Sequence, residues 1–156
     1  MSAFASNLLL ALVWVLLTGS LTGGNFLVGF VFGYLILAFA GRGGGSARYV
    51  RKVPQVLRFA LSFLGDLVKA NLRVAYDVVT PTHRMRPAVI GIPLALESDG
   101  AITLLANLIT VTPGTLALDI SPDRRTLYIH AMYMDDEATL RAEIKMLEQR
   151  VRELVS

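Results

Sequence analysis

Forty-one residues pass before the first charged side chain, Arg42. Inside that run, two apolar stretches, roughly Ala3 to Thr18 and Phe26 to Ala40, flank a Thr-Gly-Ser-Leu-Thr-Gly-Gly-Asn turn. Hydrocarbon offers no water to backbone N–H and C=O groups, so an uncharged segment of this length is accommodated there as helix, and the Gly-rich break divides it in two. A transmembrane helical hairpin over residues 1–41 is the first expectation.

The helices are short for that task. About 16 residues at ~1.5 Å each give ~24 Å against a hydrocarbon core of ~30 Å. Adding Gly19, Ser20 and Leu21 lengthens the first helix, and local thinning or packing against other helices covers the rest. A re-entrant hairpin turning inside protein is the alternative, because Thr18, Ser20, Thr22 and Asn25 sit poorly in lipid. Gly29 and Gly33 form a small-xxx-small face that admits a close helix neighbour. A cleaved signal peptide is disfavoured: Met1 to Asn7 has no basic residue, no convincing cleavage site follows, and a second apolar segment comes next.

Arg42, Arg48, Arg51, Lys52 and Arg58 follow the hairpin with no acidic residue among them. The positive-inside rule places residues 42–53, read as a basic loop with a flexible Gly41 to Ser46 joint, on the cytoplasmic side, where the cluster can also meet anionic headgroups. Charge divides the chain: residues 1–86 hold nine Lys/Arg and two Asp/Glu, residues 87–156 six and ten. The basic balance is thus a membrane-side signature and gives little support for nucleic-acid binding. The absence of cysteine excludes disulfides and thiolate metal sites.

Pro54 to Val79 predicts a helix with Pro in its first turn, within a connector spanning residues 54–86. Arg58, Ser62, Asp66, Lys69, Arg73 and Asp77 share one stripe, and Leu57, Leu61, Leu64, Val68, Leu72 and Ala75 the other. So many ionisable groups disfavour a lipid-surrounded span, and the helix is expected along the cytoplasmic interface or against a partner. Asp66 is expected to pair with Lys69, and Arg73 with Asp77. The other reading makes the stripe, Asp66 and Lys69 foremost, the lining of a hydrated ion path. Asn71, among apolar positions, is a candidate interhelical donor, the blander reading being a capped or snorkelled side chain.

Residues 87–156 read as a compact cytoplasmic domain. A strand over Ala88 to Leu96, with Pro93 at an edge or bulge, precedes a helix over Ala101 to Thr110. Strands over Thr115 to Ile120 and Thr126 to Met132 are joined by Ser-Pro-Asp-Arg-Arg, and a closing helix opens on Asp135-Asp136-Glu137. Leu140, Ile144, Leu147, Val151 and Leu154 give that helix its apolar face. The fold class is membrane-anchored α+β, ending in an abbreviated ferredoxin-like β-α-β-β-α unit.

Between that domain's first helix and second strand stands Thr110-Val-Thr-Pro-Gly-Thr115, followed by Leu-Ala-Leu-Asp-Ile and Leu-Tyr-Ile-His. Pro113-Gly114 dictates a sharp turn, and the Thr112 and Thr115 hydroxyls can bond the free backbone groups beside it. With Arg86-Pro-Ala-Val-Ile-Gly-Ile-Pro-Leu94 and the apolar hairpin, these residues closely resemble the E-type component of the Mrp (Mnh, Pha) family of bacterial multisubunit Na⁺/H⁺ antiporters, along essentially the whole chain. The resemblance implies a small accessory subunit of a large inner-membrane complex exchanging Na⁺, or K⁺ in some members, for protons. Translocation in that family falls chiefly to the large A-type and D-type components, and the E-type component is needed for a competent complex. Other antiporter subunits are the implied partners. Thr112 and Pro113, carried with Gly114 and Thr115, are the implied functional turn: either a dock for neighbouring subunits or a turn internal to the domain.

No catalytic residue, cofactor or metal site is expected. His83 and His130 lack companions at ligand spacing, the acidic 135–137 cluster suits a helix dipole, and Gly41 to Gly45 is not followed by the Lys-Ser/Thr of a phosphate loop. The alternative function is a free-standing, membrane-anchored binding or regulatory module.

Overall fold

The computed structural model describes residues 2–40, 45–80, 85–134 and 136–155. The chain divides into two compact units, Met1–Arg58 and Phe59–Ser156.

In the first unit, helices α1 (Ala3–Thr18) and α2 (Gly23–Ala40) pair along their length. Ser2 caps α1, accepting the Ala5 N–H, and Gly19 closes it in the left-handed region. Asn25 ties the connection: it accepts from the Trp14 indole at 3.0 Å and donates to the Ser20 carbonyl at 2.8 Å. Gly29 and Gly33 are the buried residues of α2. A Cβ on Gly29 would come within 2.8 Å of the Trp14 Cβ, and one on Gly33 would strike the Asn7 side chain. Asn7 is fully buried and donates to the Tyr49 hydroxyl at 2.8 Å. Phe4, Phe30, Tyr34 and Tyr49 cluster edge-on beside it. Among the described helices, only α2 is long and apolar enough to cross a bilayer; α1 falls short in length.

Helix α3 runs Gly45–Val79, 35 residues. It corrects two expectations. Residues 45–53 are its opening turns and not loop, and Pro54 lies inside the helix and not in its first turn. An interior proline removes the N–H owed to the carbonyl four residues back. Here that carbonyl belongs to Val50, and it accepts the Tyr34 hydroxyl at 3.1 Å instead. The missing donor is replaced from a neighbouring helix.

In the second unit, strands β1 (Ala88–Pro93), β2 (Thr115–Ile120) and β3 (Thr126–Ala131) form an antiparallel sheet in the order β1-β3-β2. Helices α4 (Asp99–Val111) and α5 (Glu137–Val155), with Leu96 of the β1–α4 connection, supply the rest of its core. Alternation along the strands decides the buried face: Ile90, Ile92, Leu127, Ile129 and Ala131 meet Ala101, Ile102, Leu105 and Ile109 of α4 and Leu140, Ile144 and Val151 of α5. Val89, Leu116 and Tyr128 lie on the other face, exposed. The β2–β3 turn is bonded as its sequence suggests, with the Ser121 hydroxyl donating to Asp123 and accepting the Thr126 N–H, and Arg124 at φ 58°.

β1 stops at Pro93, three residues short of the expected Leu96. Glu148 of α5, buried, takes over: its Oε1 accepts the Ala95 and Leu96 N–H groups at 2.6 and 3.0 Å. Arg152 donates to the Ala95 carbonyl and Arg141 to that of Gly91, each at 2.8 Å. Side chains of one helix thus occupy backbone groups that an edge strand would otherwise present to another chain.

Candidate functional site

The Thr112–Thr115 turn ends α4. Thr112 is its C-cap, with its N–H on the Leu108 and Ile109 carbonyls and its hydroxyl donating to Leu108 O at 2.9 Å. Thr115 donates its hydroxyl to Ile109 O at 2.7 Å and its N–H to Thr112 O at 3.2 Å. Gly114 adopts φ 90°, a region L side chains rarely enter. Its carbonyl accepts the Met132 N–H at 2.8 Å, and a Cβ there would press on the Tyr133 ring at 3.2 Å. Both threonine hydroxyls are engaged by carbonyls of their own domain.

Tyr133, which no sequence motif singles out, links this turn to α3. The Arg73 guanidinium carbon lies 5.6 Å from its ring centroid, within cation–π range. Its phenol interacts with the Asp77 carboxylate. Burial, followed by the interaction with the Asp77 carboxylate, holds the phenol above its usual pKa, while Arg73 pulls the other way. Asp77 is buried, and its Oδ2 has no hydrogen-bond partner among the described residues.

The expected Arg73–Asp77 ion pair is therefore absent among the described residues: Arg73 is drawn over an aromatic face, and Asp77 turns to a phenol. Asp66 and Lys69 do approach, at 3.9 Å, but both are solvent-exposed and the pair is weak. Arg150 of α5 takes Asp66 at 3.1 Å. Asp66, Arg73 and Asp77 thus meet groups of their own domain, while Lys69 of the same stripe stays exposed. Leu61, Leu64, Val68 and Leu72 are exposed on the opposite stripe, as is Leu57 in the first unit. Asn71 donates to the Leu67 carbonyl of its own helix at 2.8 Å, the capped reading and not an interhelical bond.

Of the basic cluster, Arg48, Arg51 and Arg58 are exposed on α3 and Lys52 is half-buried. Arg42, His83 and Asp135 lie outside the described residues. His130 is half-buried on the open sheet face, opposite Val89 and Leu116. Asp136 caps α5, accepting the Thr139 hydroxyl at 2.6 Å and the Thr139 and Ala138 N–H groups; these bonds hold its carboxyl below the usual range.

A family model described as a Na⁺/H⁺ ion antiporter subunit matches residues 7–154. The chain belongs to this antiporter-subunit family. It is similar to the E1 component of the Na⁺/H⁺ antiporter of Staphylococcus epidermidis, 34% identical over 152 residues that cover 97% of this chain and 94% of the relative. The E component of the Bacillus subtilis Na⁺/H⁺ antiporter is 38% identical over 130 residues, 83% of this chain and 82% of the relative. Among solved structures, a chain of the Mrp complex from Dietzia sp. DQ12-45-1b superposes with a TM-score of 0.52 at 27% identity, over 65% of this chain and 96% of that one. A chain of the membrane-bound sulfane sulfur reductase, an archaeal respiratory membrane complex, gives 0.60 at 26% identity over 99% of both. The fold is therefore shared with a chain of a respiratory membrane complex as well.

Two side chains that hold this domain together, Glu148 and Tyr133, are identified by the fold. Glu148 had a signal: it stands at the i+4 position between Ile144 and Val151, on the buried face of α5, where an acid must find donors. Tyr133 carries no such pattern; only the fold brings it to Gly114, Arg73 and Asp77.

Proposed function

We propose that this chain is an accessory integral-membrane subunit of a multisubunit monovalent cation/proton antiporter, exchanging Na⁺ or K⁺ for protons, and that it supports assembly and activity of the translocating subunits. The family match over residues 7–154 carries the reading. The helices support a non-translocating role, because α1 and α2 contain no Lys, Asp, Glu or His with which to relay a proton.

In this proposal α1 and α2 enter the membrane as a hairpin from the cytoplasmic side of a bacterial inner membrane. The amphipathic α3 lies at the interface with its exposed apolar stripe toward lipid or partner helices, and the C-terminal domain is cytoplasmic. Arg48, Arg51, Lys52 and Arg58, free of acidic neighbours in sequence, support that side and contact with anionic headgroups. The strand order β1-β3-β2 supports an abbreviated ferredoxin-like domain lacking its last strand. Asp66, Arg73 and Asp77 are assigned to holding α3 rather than to an ion path, and Lys69 to its exposed surface. Contact of the Thr112–Thr115 turn with neighbouring subunits runs through the Pro113 ring and the exposed Val111, since the hydroxyls are engaged internally.

The test is a pull-down of the chain, tagged at its C-terminus, from gently solubilised native membranes. Recovery of large antiporter subunits in fixed proportion supports the reading. Recovery of the chain alone, folded and monodisperse, moves it to the free-standing membrane module.

A further inference from the structure

Three separate stretches of sequence meet at one side chain. Gly114 brings the turn, Arg73 and Asp77 bring the last turns of α3, and Tyr133 stands between them just past β3. The backbone of Tyr133 is held on both sides: Arg86 donates to Met132 O at 3.0 Å, Met134 to Arg86 O at 3.1 Å, and Met132 to Gly114 O at 2.8 Å. The ring is thereby held with one edge against Gly114 and the Arg73 guanidinium over its face.

Asp77 is the informative partner. A carboxylate 4% exposed on a helix is costly unless donors satisfy it, and the Tyr133 phenol is the polar group that interacts with it. Arg73, one turn earlier, adds a second hold on the same ring. Elsewhere along the helix, the described ion pair with the domain is Asp66 to Arg150, about half exposed. The buried end of the attachment is at Tyr133.

We propose that Tyr133 is a positioning residue: it latches the C-terminal end of α3 to the domain through Asp77 and Arg73, and the Thr112–Thr115 turn acts on α3 by seating the Tyr133 ring. The turn's influence on the amphipathic helix then passes through the interior of this chain. The latch is a property of the chain itself and does not rest on the antiporter reading. A failed pull-down would sink that reading and leave the latch standing.

Hydrogen exchange on the full chain in detergent tests it, with Tyr133→Phe, Asp77→Leu and the double variant, comparing amides of residues 70–79 with those of α5 and the sheet. Tyr133→Phe keeps the ring and removes one donor. Exchange over residues 70–79 is expected to rise about tenfold while α5 and the sheet keep their protection. Asp77→Leu in that background is expected to reverse most of the rise, because with both interacting polar groups gone no buried carboxylate is left unsatisfied. Gly114→Ala, which sets a methyl against the ring, is expected to loosen the same residues. If it unfolds the domain, Thr112→Ala replaces it with the same expectation. Unchanged exchange in α3 on Tyr133→Phe, effects that multiply independently in the double variant, or turn variants that leave α3 untouched would each overturn the proposal. Loss of protection throughout Tyr133→Phe would do so as well, making Tyr133 a general fold residue.

Discussion

Glu148 and Asp136 show how much of this chain depends on single acceptors. Glu148 is buried and answers two backbone N–H groups where β1 gives way to irregular chain. Glu148→Ala leaves both donors unsatisfied and is expected to destabilise the folded domain by about 2–5 kcal/mol, with Glu148→Gln costing less, as read by denaturant titration of the full chain in detergent. Asp136 and Asp123 work at the surface. Both carboxyls sit below their ordinary pKa, Asp136 through the Thr139 hydroxyl and N–H, Asp123 through the Ser121 hydroxyl and the Arg125 N–H. A depressed carboxylate stabilises the fold above its unfolded pKa and loses that contribution as pH falls through the folded value. Stability is therefore expected to be flat near neutrality and to fall below about pH 4. Asp136→Asn keeps an acceptor at the cap and is expected to shallow that acid-side slope in pH-dependent melting; an unchanged slope would remove Asp136 from this account.

At the scale of elements, α3 carries the most consequence. Its Pro54 is tolerated because the Tyr34 hydroxyl answers the Val50 carbonyl. Tyr34→Phe is expected to cost about 1–3 kcal/mol locally and to speed amide exchange around residues 50–55. The same hydrogen bond explains why the start of α3 is not legible locally: sequence alone reads proline as a first-turn residue, and only tertiary structure can supply a donor from another helix. The amphipathic stripe itself is legible, since its 3.6-residue period depends on nothing outside the helix. What each stripe faces is not. Charge on a helix is read by default as solvent-facing, whereas here Asp77 is buried and Asp66 meets Arg150 of the chain's own domain, leaving Leu61, Leu64, Val68 and Leu72 exposed. Leu64→Glu with Val68→Glu is accordingly expected to leave the C-terminal domain folded by circular dichroism while sharply reducing recovery of the chain with its complex or membrane. The Thr112–Thr115 turn is legible as a turn from Pro113 and Gly114, but its coupling to Tyr133 requires three non-local contacts that no spacing encodes.

The whole molecule joins an uncharged helical pair to a small α/β domain through a helix whose apolar side is left exposed. Such a molecule is incomplete alone. Exposed apolar length on α1, α2 and α3 calls for lipid and neighbouring subunits, and the family match over residues 7–154 says which kind of assembly supplies them. The decisive measurement is Na⁺- or K⁺-induced collapse of a respiration-driven pH gradient in everted membrane vesicles. It compares cells lacking this chain, cells with it restored, and the parent strain. An accessory subunit needed for a competent antiporter predicts that exchange is lost without the chain and returns when it is restored. Full exchange in its absence, with the remaining subunits still assembled, would contradict the account.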